Sequence, residues 1–437
     1  MVKKLYRRAE VLYGKCEDAP TVVEAVQFHG IKRTKNDALV KEIAYLYKCA
    51  DFGSLLHNAN LAAKHLMEIG LMEHATALID VCKGNPHSYV VNFVVREPRS
   101  FTIGAKAGVS TYGEADGILN VTKRSVFGRG ENCNTSYTYT VKARLKNFYR
   151  YSKLKFFPFL GWQKYASLNL SIFRNFFLSP WNVSETAENG IVLQYNGLIN
   201  PSLLHTSSFN VIWRKFMPLK DAVFSVREFA GHSLKFSIEN SLAYDTRDYR
   251  LLPSAGVYCR LTQELAGLLG DASFAKQTVD LQFANPLRFG AFVGGSLQAS
   301  LISSLSNQPI HLLDRLYLGG PLNLRGFSWN SMGAKAGTSS LGGFASCAAA
   351  LHIYMPLIPA DLLFAHCFMV GGSVIPSKSP NVFEALVSER RVSAGIGVTF
   401  VFRDMVRLEL NYVWPLRSHT SDSCNFGFQF GAGINFL

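Results

Sequence analysis

The sequence predicts a mainly β protein, a 16-stranded antiparallel transmembrane β-barrel preceded by one small α/β domain. Three observations predict it. The 437 residues are 48% hydrophobic but only 17% charged, with 35 Gly and 32 Phe, whereas soluble domains carry about 25% charge. After Pro98 the hydrophobic pattern takes a period of two and keeps it to the C terminus, which places alternate side chains on opposite faces of a strand. The apolar runs last ~10 residues, the length of a tilted membrane-crossing strand, and several end in Phe or Tyr, as an interfacial girdle requires. A soluble sandwich also alternates; run length and aromatic ends decide for the membrane. In lipid such a sheet must close, because an open edge would leave backbone groups without partners.

Residues 1–20 read as an N-terminal extension. No apolar core follows the basic start Met1–Arg8, so no secretory signal is expected, and Glu10, Glu17 and Asp18 weaken a matrix-targeting reading. Residues 21–98 read as the small domain, in the order strand, helix, helix, strand, strand. Val22, Glu24, Val26 and Phe28 alternate with Val23, Ala25 and Gln27, and Gly30 ends that run. Thr34-Lys-Asn-Asp37 resembles a helix-capping pattern, with Leu39, Ile43 and Leu46 following at helical spacing. Leu55, Ala59, Ala62, Leu66 and Ile69 mark a second helix, which Gly70 stops. Ala77, Ile79 and Val81 share one strand face; Tyr89, Val91, Phe93 and Val95 share another.

Residues 99–437 read as the barrel. Sixteen strands are expected, centred at about 105, 119, 136, 152, 170, 193, 211, 238, 260, 280, 295, 350, 366, 397, 410 and 431. The fourth, Phe148–Phe157, alternates poorly, and the eighth is expected to start early, near Ala222, with an irregularity at Gly231. Ala345–Gly372 is the most helix-like apolar stretch, but Pro356, Pro359 and Asp361 suit a turn between two strands. Between the strands near 295 and 350 lies a long connection, 303–344. It carries Leu316, Tyr317, Leu318, Leu322, Leu324, Phe327 and Trp329, which need burial. A loop this long is functional or disordered, and the barrel interior is the simplest place to bury it.

The net charge of +14 contains no long Lys/Arg run and no nucleic-acid motif, so the charges are assigned to loops and a wet lumen. The eight cysteines form no C-x-x-C pair, which leaves no zinc or redox site. H-E-x-x-H and G-x-S-x-G are absent and the 11 histidines are dispersed; no enzyme, metal or cofactor is expected. A passive pore, or a protein-translocating channel of an organelle or bacterial outer membrane, is the alternative function, since sixteen strands can enclose a channel.

Several motifs resemble one family, the outer-membrane assembly barrels. Leu324-Arg325-Gly326-Phe327 matches its long-loop signature. Tyr244-Asp-Thr-Arg-Asp248 with Leu252-Pro253 and Gly256, and Gly128-Arg-Gly130-Glu131, match others. Glu409-Leu-Asn-Tyr412 and the terminal Phe430–Leu437 resemble the mitochondrial branch, the barrel subunits of the sorting and assembly machinery (SAM complex). The basic, aromatic segment from Tyr139 to Trp162 departs from the family pattern. The resemblance implies that residues 21–98 form a POTRA domain in the intermembrane space. It implies further that the barrel sits in the mitochondrial outer membrane, with β-barrel precursors, accessory SAM subunits and the lipid bilayer as partners and no nucleic acid. It also implies a lateral gate between the first and last barrel strands, at Phe101, Gly104, Ala105, Gly108, Phe430, Gly431, Gly433 and Ile434. The competing reading of those glycines is room for the long loop. Gln429, Gly431, Ile434 and Phe436 resemble a β-signal, which marks a barrel for insertion. Arg325 is expected to face the lumen, where an unpaired guanidinium is costly; Glu409, inward by alternation, is a candidate partner.

Overall fold

The computed structural model describes residues 14, 16–82, 84–85, 87–109, 115–141, 149–158, 166–357, 362–376, 381–402 and 406–433. The chain falls into two compact units. One comprises Met1–Gly104, Val121–Thr135 and Lys155–Asn169; the other comprises Ala105–Asn120, Ser136–Leu154 and Leu170–Leu437.

In the first unit, strands β1 (Val22–His29), β2 (His74–Val81) and β3 (Ser88–Arg96) pair in the order β1-β3-β2. β1 runs parallel to β3 and β2 antiparallel to it. Helix Phe52–Glu68 buries Leu55, Ala59, Ala62, Ala63 and Leu66, an i, i+4, i+7, i+8, i+11 stripe. Its alanines fit the helix against Tyr89, Val91, Phe93 and Val95 of the central strand. Leu39 and Ile43 lie on helix Asn36–Ile43, and Leu46 on the 3-10 turn Ala44–Lys48; all three join the same core.

Two local expectations change. Val81 is exposed, and Ala75 packs beside Ala77 and Ile79 instead, because the last residue of an edge strand runs past the helices. Thr34 does not cap the first helix. Its Oγ1 donates to Glu97 Oε1 at 2.8 Å, and the same oxygen accepts the backbone N–H groups of Arg33 and Thr34 at 2.9 and 2.8 Å. Burial pushes the Glu97 carboxyl up, but these donors outweigh it and bring its pKa down to about 2.

The 16-stranded sheet is made of β4 (Phe101–Val109), β5 (Ala115–Arg124), β6 (Asn132–Val141), β7 (Tyr149–Phe157), β8 (Ala166–Ser179), β9 (Ser184–Asn200), β10 (Leu203–Pro218), β11 (Gly231–Asp245), β12 (Gly256–Gly270), β13 (Phe274–Pro286) and β14 (Phe292–Ser304), followed, after a small hairpin β15 (Ala334–Ala336) and β16 (Ser339–Gly342), by β17 (Ala345–Pro356), β18 (Leu363–Ile375), β19 (Arg391–Phe402), β20 (Val406–Arg417) and β21 (Gly427–Gly433). Neighbours follow chain order, with β14 beside β17, and β21 and β4 stand at the two ends of that order. The ladders from β9 to β21 are antiparallel.

On β17, Leu351, Ile353 and Met355 are exposed while Ala350, His352 and Tyr354, which alternate with them, are buried. On β20, Arg407, Glu409 and Asn411 are buried and Leu410 and Trp414 face out. The apolar residues thus form the lipid side and the polar ones the lumen. Strands β8 to β14 span 13–17 residues, longer than the ~10 that cross the hydrocarbon, so their ends project beyond it. The early start expected for the eighth barrel strand is replaced by a short helix, Phe224–Arg227, and β11 begins at Gly231. Val226 is fully buried against Phe216 and Leu312, and that contact turns the chain inward instead of extending the strand.

Candidate functional site

The connection from β14 to β17 carries a group of fully buried side chains. Leu312, Leu324, Arg325, Phe327 and Met332 are 0% exposed. Leu318, Leu324, Phe327 and Met332 pack on Ala348, Ala350, Phe368, Val370, Val374 and Val413 of the wall. The wall makes room at Gly372, where a Cβ would lie 2.7 Å from Leu318 Cδ2 and 3.1 Å from Leu324 Cδ1.

With its environment apolar on one side, Arg325 turns its charge to β20. Its Nη2 and Nε donate to Glu409 Oε2 at 2.9 and 3.1 Å, and both side chains are completely buried. The guanidinium also stands 5.0 Å from the Phe368 ring centre. Glu409 is shared: Arg407 Nη2 pairs with Oε1, and Asn411 Nδ2 donates to Oε2 at 2.8 Å. Arg407 in turn donates to Tyr354 Oη at 2.6 Å and to the Leu251 carbonyl at 3.2 Å. Sequence reasoning did not single out Arg407; the alternation that put Glu409 inside places it two residues earlier on the same face. Two guanidiniums on one carboxylate, with hydrogen bonds around them, is the arrangement that makes buried ions tolerable.

Gly326 has φ +90°, and a Cβ there would meet Val413 Cγ1 at 3.1 Å and Ser393 Cβ at 3.2 Å. Glycine is needed both for the left-handed backbone and for the close approach. That approach lets Gly326 N donate to Gln429 Oε1 on β21 at 3.0 Å and its carbonyl accept from Asn425 N at 2.9 Å. Ser393 Oγ donates to the Arg325 carbonyl. Phe327 bridges Cys424, and Ser328 N donates to the Ser423 carbonyl at 2.9 Å. The motif therefore clasps the segment leading into the last strand and the strand itself.

The remaining residues singled out by sequence lie as follows. Phe101 and Ala105 are exposed on β4, with Gly104 between them and Gly108 further along the same strand. On β21, Phe430 is exposed opposite Leu410, Gly431 is buried opposite Glu409, and Gly433 is opposite Arg407. Gln429 stands opposite Asn411. Ile434 and Phe436 lie outside the described residues.

A membrane barrel of sixteen strands whose long internal loop locks an Arg-Gly-Phe motif against the last strands defines a class, the outer-membrane assembly type of barrel. The Omp85 superfamily domain matches residues 101–436, and the chain belongs to that superfamily. It is 31% identical to the sorting and assembly machinery component 50 homologs of Xenopus tropicalis and Homo sapiens, over 96% of this chain and 92% of each relative. A SAM50-like protein of Drosophila melanogaster is 27% identical over 95% of both chains. Among solved structures, BamA from Haemophilus ducreyi lacking POTRA domains 1–3 superposes with a TM-score of 0.80 at 16% identity, covering 94% of this chain and 84% of that one. That likeness speaks for the fold.

Proposed function

We propose that this protein inserts and folds β-barrel precursors into the mitochondrial outer membrane, as the barrel subunit of a sorting and assembly machinery, through a lateral gate between β4 and β21. In this reading residues 21–98 are a POTRA domain in the intermembrane space. The partners are unfolded barrel precursors and accessory subunits of the same machinery, and the work is non-enzymatic. The observation that carries the reading is the bond from Gly326 N to Gln429 Oε1: the internal loop holds the last strand itself, not merely the lumen wall.

The chemistry follows from backbone pairing in lipid. An unpaired strand edge in hydrocarbon costs several kcal/mol per group, so a precursor strand needs a partner as it arrives. β4 and β21 stand at the ends of the strand order, and among the described residues of β21 that pair with β20 are Gly427, Gly431 and Gly433. Each glycine weakens a strand by about 0.5–1 kcal/mol relative to alanine. A glycine-rich last strand is cheap to displace, and its Gln429 is at once part of the proposed β-signal and the acceptor of the loop's hydrogen bond. A precursor strand carrying an equivalent signal would compete for the same donor. Exposed edges of the three-stranded N-terminal sheet would hold extended precursors by strand addition.

The test is insertion of a labelled barrel precursor into liposomes containing the purified protein, scored as protease-protected folded product. Arg325→Ala is expected to lower the yield far more than Lys335→Ala, which loses only hydrogen bonds to the Ser421 carbonyl and Ser423 Oγ. Equal losses would count against the reading. A passive pore would instead show large conductance changes on removal of residues 303–344 and no insertion activity.

A further inference from the structure

The loop has a second ionic hold that no motif announced. Asp314, 11 residues before Arg325, accepts from Arg214 Nη1 through both oxygens, at 2.8 and 2.9 Å; the side chains are 4% and 3% exposed. Lys235 Nζ lies 3.5 Å from Asp314 and 2.7 Å from Glu264, and Glu188 stands opposite Arg214 in the β9–β10 ladder, so each cation of the group has a carboxylate beside it. Around this group Leu312 packs with Phe216, Ala222 and Val226. Tyr317 Oη donates to the Leu312 carbonyl at 3.0 Å and accepts from Asn182 Nδ2 at 3.2 Å. Arg214 belongs to β10 and Lys235 to β11, whereas Glu409 belongs to β20. In the 16-strand order β10 stands eight places from β20, half a turn around the barrel and away from both ends of the sheet.

We propose that Asp314 is a positioning residue, which pins the loop to the β10–β11 wall so that the Leu324–Phe327 motif is held against the last strand from a fixed point across the lumen. This rests on the assembly reading above and deepens it. The two ends of the strut are unequal. At the far wall and at β20 the holds are buried ion pairs, costly to separate; at β21 they are hydrogen bonds between neutral groups, the weaker kind. A substrate strand that displaces β21 therefore leaves the loop where it is. The loop stays as a template in the lumen and recaptures the last strand when the product leaves.

The experiment uses the full-length protein in liposomes, with Ser328→Cys and Asn425→Cys reporting loop-to-last-strand proximity by disulfide formation and Cys424→Ser removing a competing thiol. Ser328 Oγ and Asn425 Oδ1 are 3.3 Å apart. Asp314→Asn is expected to slow crosslinking and precursor insertion by about tenfold, with the barrel still resistant to unfolding by detergent. Asp314→Glu, which keeps a carboxylate for both Arg214 and Lys235, is expected to keep much of both. If Asp314→Asn does not fold, Arg214→Lys, which keeps the charge but loses the planar guanidinium and its Nε bond to Ser233 Oγ, should slow crosslinking to an intermediate rate; a wild-type rate overturns the proposal. So does a folded Asp314→Asn with wild-type crosslinking, even if insertion falls. Crosslinking that depends on Asp314 in a protein that inserts no precursor would sink the assembly reading and leave the anchor standing.

Discussion

In the N-terminal domain Leu39, Leu46, Leu55, Leu66 and Phe93 meet in an apolar core, whereas the barrel wall turns leucines such as Leu351 and Leu410 outward and buries Arg325, Arg407, Glu409, Arg214 and Asp314 beside the apolar residues of the loop. The same chain thus solves burial in opposite ways. In the small domain the force is removal of apolar surface from water, which is non-directional and tolerant of shape. In the lumen the loop also buries Leu318, Leu324, Phe327 and Met332 against the wall, and directional ion pairs and hydrogen bonds add what apolar contact lacks, a fixed register. The difference teaches that the first unit should yield to volume changes and the second to charge changes.

The contrast is most open to being broken by truncating a large buried side chain in each unit. Phe93→Ala should cost the N-terminal domain about 3–5 kcal/mol, seen as lost protection in hydrogen exchange confined to β1–β3. Arg325→Ala should cost a similar amount, about 3–5 kcal/mol, seen as a lower detergent-unfolding midpoint of the barrel, while Phe93→Ala leaves that midpoint unchanged. Gly326→Ala comes next. A left-handed backbone and contacts at 3.1 and 3.2 Å predict a loss of about 1–3 kcal/mol in the same barrel measurement.

Glu97 sharpens the comparison from the other side, as a charge inside the apolar unit. Its folded pKa of about 2 lies below its ordinary value of 4.5, so its contribution is fully present above that ordinary value. It is lost as pH falls from there toward about 2. Hydrogen exchange at β1–β3 in the full-length protein should show a drop in stability across that window, and Glu97→Gln should flatten it. The loss at neutral pH should be about 1.5–3 kcal/mol. The smallest effect belongs to Lys335→Ala, about 0–1 kcal/mol.

Period-two alternation made all sixteen strands of the described sheet readable, including Tyr149–Phe157 where it is poorest, because each residue's face is set locally by the pleat. The same parity put Arg407 and Glu409 inside. Parity does not say which loop atom reaches which wall residue. Arg214 and Asp314 are 100 positions apart, and which wall strand each half of the loop meets depends on the order of the strands in the sheet. The helix at Phe224–Arg227 was hidden for a related reason: its apolar residues look like strand residues until Leu312 is known to sit over Val226. Gln429 stood out in the sequence only for its resemblance to a terminal signal, and its bond to Gly326 required knowing that the motif loop ends beside β21.

The central claim is that β4 and β21 part to admit a substrate strand, and cysteines on those strands test it most directly. With Ala105→Cys and Ala432→Cys joined by a crosslinker during import of a labelled precursor, insertion should stop and resume on reduction. Insertion at the uncrosslinked rate through a fully joined seam would contradict the account.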